Sequence, residues 1–284
     1  MKEMQRNPQP LKIGVFDSGF GGLTVLHSLL QSIPGPEFLY LGDTARLPYG
    51  SKSQATVARY AVQSAQLLTS LGAQYLVIAC NTASALALDA IRSAVPVPVM
   101  GVIEAGAESA AARSRSRDVL VLATAATVQS HAYAAACAAK GMRTVEKACP
   151  LLVPLIEEGW TNHPVTRQVL QVYTNEAFTA AQETRHAIDT VLLGCTHYPL
   201  LRSLLEETVP AGVTILDSAE TTAKRVQRDL ALEDSRTEHA NLVTCSDPAR
   251  TRFLATDSVD KFRTLGSHFL GQPIERVELI DLGG

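Results

Sequence analysis

The sequence predicts an α/β protein made of two similar lobes, each built on a parallel sheet, with a functional cleft between them. Three observations carry this prediction. Short apolar runs bounded by turn signals alternate with helix-like segments, the pattern of a parallel sheet covered on both faces. Three of the runs in the first part of the chain end on Asp17, Asp43 and Cys80, and open parallel sheets bind ligands outside the carboxyl ends of their strands. The stretch "AQYLVIACNTASA" is echoed about one domain length later by "IDTVLLGCTHYPL". Each places a cysteine, Cys80 or Cys195, where strand gives way to helix.

In order, "LKIGVFDSG" reads as a strand ending at Asp17, and the Gly-rich "GFGGLTVLHSLL" enters a helix. "EFLYLGD" is a second strand ending at Asp43. "SQATVARYAVQSAQLLTSLG" is a long helix with Gly72 at its C-terminal end. "AQYLVIAC" and "VPVMGV" are the next strands, with the helix "TASALALDAIRSAV" between them. "GVIEAGAESAAARSRS" is a small-residue helix that crosses to a second unit. There "DVLVLAT", "RTVEKACP" and "IDTVLLGC" read as strands, and "TVQSHAYAAACAAKG" as one helix. "GVTILDSAE" is a strand from which the chain returns, and the tail holds a helix and a final short strand. The expected lobes are residues 1–102 with 216–284, carrying Cys80, and residues 103–215, carrying Cys195.

Composition narrows the function. The 284 residues are 46% hydrophobic and 19% charged, with a net charge of −3. That balance gives no reason to expect nucleic acid or an anionic membrane as partner. The N-terminal "MKEMQRNPQPLK" is polar and carries two prolines, unlike a signal peptide or anchor, and no apolar run nears the ~20 residues of a membrane span. A cytoplasmic setting is expected, with a small-molecule substrate and, as an open option, a second copy of the chain in a homodimer. The 5 cysteines include no C-x-x-C pair, which argues against a disulfide framework or a zinc ribbon. Cys137, Cys149 and Cys245 read as small core residues.

The two junction cysteines are different. A strand-to-helix junction lies beside unpaired backbone N–H groups and the positive end of a helix, which predicts a thiol pKa lowered from ~8.5 toward neutrality. Such a thiol can hold or release a proton at neutral pH. Asn81 and Thr82 follow the first cysteine, Thr196 and His197 the second, and suit a carboxylate or amino group. Other cysteine chemistries fit less well. A phosphatase-type loop wants an arginine six residues on, where this chain has Leu86 and Leu201. A protease-like site would leave one thiol idle. Zinc lacks paired ligand spacing, and no lysine lies near either junction to hold pyridoxal phosphate. "DSGFGG" lacks the G-x-G-x-x-G spacing of a dinucleotide loop. Neither a metal nor a cofactor is therefore expected. Two opposed thiols suit one reaction: removing a proton from one face of a carbon and returning one to the other face.

"IGVFDSGFGGLTVL", "YLGDTARLPYG", "ACNTASA", "CPLLVPLIEEGW" and "GCTHYPLL" together resemble the bacterial glutamate racemases, over about residues 11–220. The resemblance implies interconversion of L- and D-glutamate for peptidoglycan, with Cys80 and Cys195 as the catalytic thiols. It assigns the α-proton of D-glutamate to Cys80 and that of L-glutamate to Cys195. It also implies substrate contacts from Asp17, Ser18, Tyr49, Gly50, Asn81, Thr82, Thr127, Thr196 and His197. Asp17 is suited to hold the ammonium or assist a thiol, and alternatively to cap the Gly-rich turn. His197 is suited to tune Cys195. Asp43 has a weaker claim to the same roles as Asp17. Glu157 resembles an acid at the family's cleft, with Glu158 as a competing neighbour. The chain departs from the family's Gly-Thr-x-Gly-Thr-like run in "ATAAT", with Ala123 and Ala126 for glycine, and in "GVIEAG", with Ala105 for proline.

Three other readings remain open: the same scaffold acting on aspartate or a hydantoin, a thiol redox protein switching between Cys80 and Cys195, and a lobed amino-acid receptor without turnover.

Overall fold

The computed structural model describes residues 10–234 and 250–283, without the side chains of 231–234. The first nine residues and Cys245 lie outside the described residues. In chain order the first unit runs β1 (Lys12–Asp17), α1 (Leu23–Ser32), β2 (Glu37–Gly42), α2 (Gln54–Ser70), β3 (Tyr75–Ile78), α3 (Asn81–Leu86), α4 (Leu88–Ala94) and β4 (Val99–Gly101). α5 (Val102–Arg113) leads to β5 (Asp118–Ala123), α6 (Ala125–Ser130), α7 (Ala132–Ala138), β6 (Arg143–Ala148), α8 (Leu152–Glu157), α9 (Pro164–Glu183), β7 (Thr190–Gly194), α10 (Arg202–Thr208) and β8 (Thr214–Asp217). The chain returns through α11 (Ser218–Asp234) to β9 (Thr251–Ala255), α12 (Val259–Leu270) and β10 (Glu278–Leu279).

Among the described residues ten strands form two all-parallel sheets, in the orders β10-β9-β2-β1-β3-β4 and β6-β5-β7-β8. Side chains alternate across each strand, and both faces are apolar. In the first sheet Val15 and Val77 face α1 at Leu23 and Leu26, whereas Phe16 and Ile78 face α2 at Val57 and Ala61. In the second, Val121 and Leu192 share a core with Tyr133 of α7, and Leu120 and Leu193 share one with Leu170 of α9. Two-sided burial explains why these strands read as continuous apolar runs.

The observed elements differ from the expected ones in several places. The helix over "TASALALDAIRSAV" is two, broken at Ala87, and that over "TVQSHAYAAACAAKG" is two, broken at His131 with φ 53°. β9 was not expected, although it pairs with β2 along its whole length. β8 pairs with β7 through Asp217, so sheet membership changes just past the expected division at 215/216. Gly72, by contrast, closes α2 as expected: with φ 93° it lets its own N–H reach the Thr69 carbonyl and the Ala73 N–H reach Leu68. Among the described residues no helix is long and apolar enough to cross a membrane.

The register sets the ends of the strands. Asp17 pairs with Gly42 and Phe16 with Ile78, so Asp17, Asp43 and Cys80 emerge at one edge of the first sheet. Ala123 pairs with both Ala148 and Gly194, so Thr124, Cys149 and Cys195 emerge together from the second.

Candidate active site

The two edges face each other across a cavity of about 580 Å³. Cys80 and Cys195, each 5% exposed, both line it. Ser18, Tyr49, Gly50, Asn81 and Thr82 reach it from the first unit, and Thr196, His197, Glu157 and Glu158 from the second. Asp17, Asp43 and Thr127 are buried behind its wall and do not line it.

Cys80 precedes α3, and its sulfur accepts from the Ala83 N–H at 3.5 Å while its S–H points to Ser18 Oγ at 3.4 Å. The expected lowering of the thiol pKa is not found. Burial pushes Cys80 up to about 11, with the nearby Asp17 adding to the rise, and the hydrogen bonds from Ser18 and Ala83 offset only part of it. Burial likewise pushes Cys195 up, against the pull of a backbone N–H at His197. Desolvation of a thiolate in a nearly closed cavity outweighs the field of a short helix end.

Asp17 accepts from the Gly19 N–H at 2.9 Å through Oδ2, while its buried Oδ1 has no partner among the described residues. It therefore shapes the Gly-rich turn and also keeps a free acceptor beneath Cys80; burial raises its pKa. Asp43 is fully occupied. It takes the Tyr49 hydroxyl at 2.5 Å, both oxygens face Arg46 Nε at 2.7 and 2.9 Å, and Thr256 donates at 2.9 Å. Through these bonds it holds the Tyr49 side chain.

Thr127 corrects the expectation that it reaches the cavity. As the N-cap of α6, Thr124 lines the cavity wall, and Thr127 lies one turn behind, bonded to Thr124 at 2.9 Å and Thr82 at 3.3 Å. Asn81 is oriented by the Tyr133 hydroxyl on its Oδ1 at 2.7 Å and by Ser218 on its Nδ2 at 3.3 Å. Thr24 Oγ1 donates across to the Thr196 carbonyl at 3.0 Å, beside Cys195.

His197 links Cys195 to an acid. Its Nδ1 lies 3.9 Å from Cys195 Sγ and its Nε2 lies 3.2 Å from Glu157 Oε1. Of the two neighbouring acids, Glu157 makes this contact and is partly buried, while Glu158 is exposed. Burial acts to raise the Glu157 pKa, but His197 and Lys261 outweigh it and hold the carboxylate below its ordinary range. An anionic Glu157 beside Nε2 favours the imidazole tautomer with its N–H on Nε2, which turns the Nδ1 lone pair to the thiol. Cys149 is fully buried in the core, as expected, and also borders the cavity just after β6, in register with Cys195. Among the described residues no group of His, Cys, Asp and Glu is arranged to hold a metal ion.

Two thiols from opposed sheets, flanking one cavity edged with hydroxyls and an amide, make an acid–base site of the kind an amino-acid isomerase uses. The comparisons agree with this class. The sequence profile of the Asp/Glu/hydantoin racemases matches residues 13–226, and the chain belongs to that family. It is 51% identical to a glutamate racemase of Koribacter versatilis over 96% of this chain and 98% of that one. Among solved structures, a glutamate racemase isoform of Bacillus anthracis superposes with a TM-score of 0.84 at 34% identity, covering 96% of this chain and 98% of that one. The glutamate racemase of Francisella tularensis in complex with D-glutamate does so with 0.82 at 33%, with the same coverage.

Proposed function

We propose that this protein is a glutamate racemase that interconverts L- and D-glutamate by proton transfer between Cys80 and Cys195. The observation that carries the proposal is that the two cysteines leave the carboxyl ends of a strand in each sheet and line one cavity. The lobe carrying Cys80 and the lobe carrying Cys195 close around the substrate, so that water is excluded while the α-carbon is a carbanion.

With D-glutamate bound, Cys80 as thiolate takes the α-proton and the Cys195 thiol delivers its own proton to the opposite face. The electron pair of the C–H bond rests on the α-carbon and carboxylate between the two transfers. The sulfur charges are then exchanged, and L-glutamate starts from the reverse state. The raised thiol pKa values leave little thiolate at neutral pH in the empty cleft, so the cycle needs the cationic substrate to bring the proton-accepting thiol back toward neutrality. The substrate ammonium offsets part of the burial cost on entering. Ser18, Asn81, Thr82, Thr124 and Thr196 provide donors for the carboxylates, Tyr49–Gly50 provides backbone N–H groups, and His197 with Glu157 exchanges the Cys195 proton. D-glutamate so formed supplies peptidoglycan synthesis in the cytoplasm.

The test is wash-out of the α-hydrogen. In D₂O, purified protein dialysed against a chelator should exchange the α-hydrogen of glutamate and racemise it with nothing added, and should act far more slowly on L-aspartate. Activity restored only by pyridoxal phosphate or a metal would defeat the two-thiol reading, and a preference for aspartate or a hydantoin would reassign the substrate.

A further inference from the structure

The side chain of Lys261 reaches the Glu157–His197 pair from the opposite unit. Its Nζ lies 3.6 Å from Glu157 Oε2, while Glu157 Oε1 lies 3.2 Å from His197 Nε2 and His197 Nδ1 lies 3.9 Å from Cys195 Sγ. Lys261 belongs to α12, between two strands of the first sheet, and Glu157 ends α8, in the unit of the second sheet. We infer that Lys261 is a positioning residue for Cys195: by pairing with Glu157 across the cleft it fixes the carboxylate on His197 and so keeps the imidazole turned to the thiol.

Three features support this. Helix ends favour acids in the first turn and cations in the last. Lys261 lies in the first turn of α12 and Glu157 in the last turn of α8, so each is on the unfavourable end of its own helix and the pairing between units compensates both. The ammonium is also held on a second side, 5.6 Å from the centre of the Phe20 ring, which itself packs on Phe262 of α12 at 5.8 Å. Phe269, from the same helix, sets its ring edge-on against His197 with centroids 5.0 Å apart. One helix thus braces both members of the pair, the acid through charge and the imidazole through packing. The Lys261 side chain is 54% exposed and that of Glu157 19%, so solvent screens the pair and the effect on rate is modest.

The inference rests on the racemase reading and is tested within it. Lys261→Met keeps the aliphatic stem and removes the charge. It should lower kcat about 3-fold and leave the KM for glutamate within about 2-fold, since Lys261 does not meet substrate. Because His197 meets the Cys195 thiol directly, the primary isotope effect should rise with α-deuterated L-glutamate and not with the D form. Lys261→Arg should restore the parent values. In a Glu157→Gln background the Met substitution should have no further effect, as expected when one residue acts through the other. Unchanged kinetics in Lys261→Met, an equal rise for both enantiomers, or an undiminished effect beside Glu157→Gln would each overturn the inference. If the parent protein itself fails to racemise glutamate, the functional reading falls instead.

Discussion

The hydroxyls of Thr82 and Thr124 meet at 3.0 Å across the cleft, one from the helix after Cys80 and the other from the helix cap after β5. Thr127 completes a ring, 2.9 Å from Thr124 and 3.3 Å from Thr82. Each hydroxyl has one proton to give, and in the ring those protons go to neighbouring hydroxyl oxygens. A carboxylate entering the cavity offers the two lining members a charged acceptor, which makes the stronger bond.

Removing one of these donors should therefore weaken ground-state binding. Thr124→Val is expected to raise the KM for glutamate about 10-fold, with a smaller change in kcat. Thr127→Val, behind the wall, should change it much less. Steady-state kinetics of the two variants check this; equal effects would mean that the ring acts as a structural unit and not through Thr124.

Gly21 of the first unit packs tightly against Thr196 and His197 of the second. A Cβ there would stand 2.2 Å from Thr196 Oγ1 and 2.4 Å from His197 Nδ1, far inside contact distance. Gly21→Ala must displace the Thr196 and His197 side chains beside the second thiol. We expect at least ~100-fold loss of kcat/KM with only about 1–3 kcal/mol lost in stability. Kinetics and thermal unfolding measured together check it, and near-parent activity would show that the junction yields without moving Cys195.

How much of this was readable in the sequence depends on how local each cause is. The strand ends at Asp17, Cys80 and Cys195 were legible because a buried parallel strand is a continuous apolar run with a polar stop. The break at His131 was not, because "AYAAACAA" favours helix on both sides and only the tertiary fold turns that residue left-handed. β9 was hidden because its first two residues, Thr251 and Arg252, are not buried and it follows a run of turn-forming residues. Thr124 and Thr127 could not be ranked without knowing that the first caps a helix, which aims it at the cavity. The thiol pKa was misread for a related reason: the helix end is a local feature, whereas desolvation depends on both lobes. Lys261 was invisible, since its partner lies over a hundred residues away in another unit.

Asp189 gives a prediction for pH and stability. Just before β7, it accepts from Ser114 Oγ at 2.7 Å and Thr190 Oγ1 at 2.9 Å, and from the N–H groups of Arg115 at 2.7 Å and Ser116 at 2.8 Å. Burial works to raise its pKa, but these bonds outweigh it and hold the carboxyl well below the usual range. A depressed folded pKa contributes stability that is complete above the unfolded value of ~3.9 and lost as pH falls through the folded one. Asp189→Asn turns an amide toward two N–H donors, and should cost about 1–2 kcal/mol at pH 7. The gap from the parent should shrink as pH drops below ~4. Thermal unfolding from pH 7 to pH 3 checks this, and a gap independent of pH would assign the loss to packing.

The final prediction separates the two faces of the reaction. If Cys80 takes the proton of D-glutamate and Cys195 that of L-glutamate, replacing either thiol raises one barrier selectively. A serine hydroxyl ionises far less readily than a thiol, so in Cys80→Ser the transfer on the Cys80 side becomes the highest barrier in both directions. The isotopic bond of α-deuterated D-glutamate breaks at that barrier, and the primary isotope effect should approach its full value. The bond of α-deuterated L-glutamate breaks earlier, at the intact Cys195, and its isotope effect should fall. Cys195→Ser should show the reverse pattern. Each variant should retain well under a hundredth of parent kcat/KM, as expected on losing one member of an acid–base pair. Identical patterns in the two variants would mean that the faces are wrongly assigned, and near-parent turnover in either would remove that thiol from the chemistry.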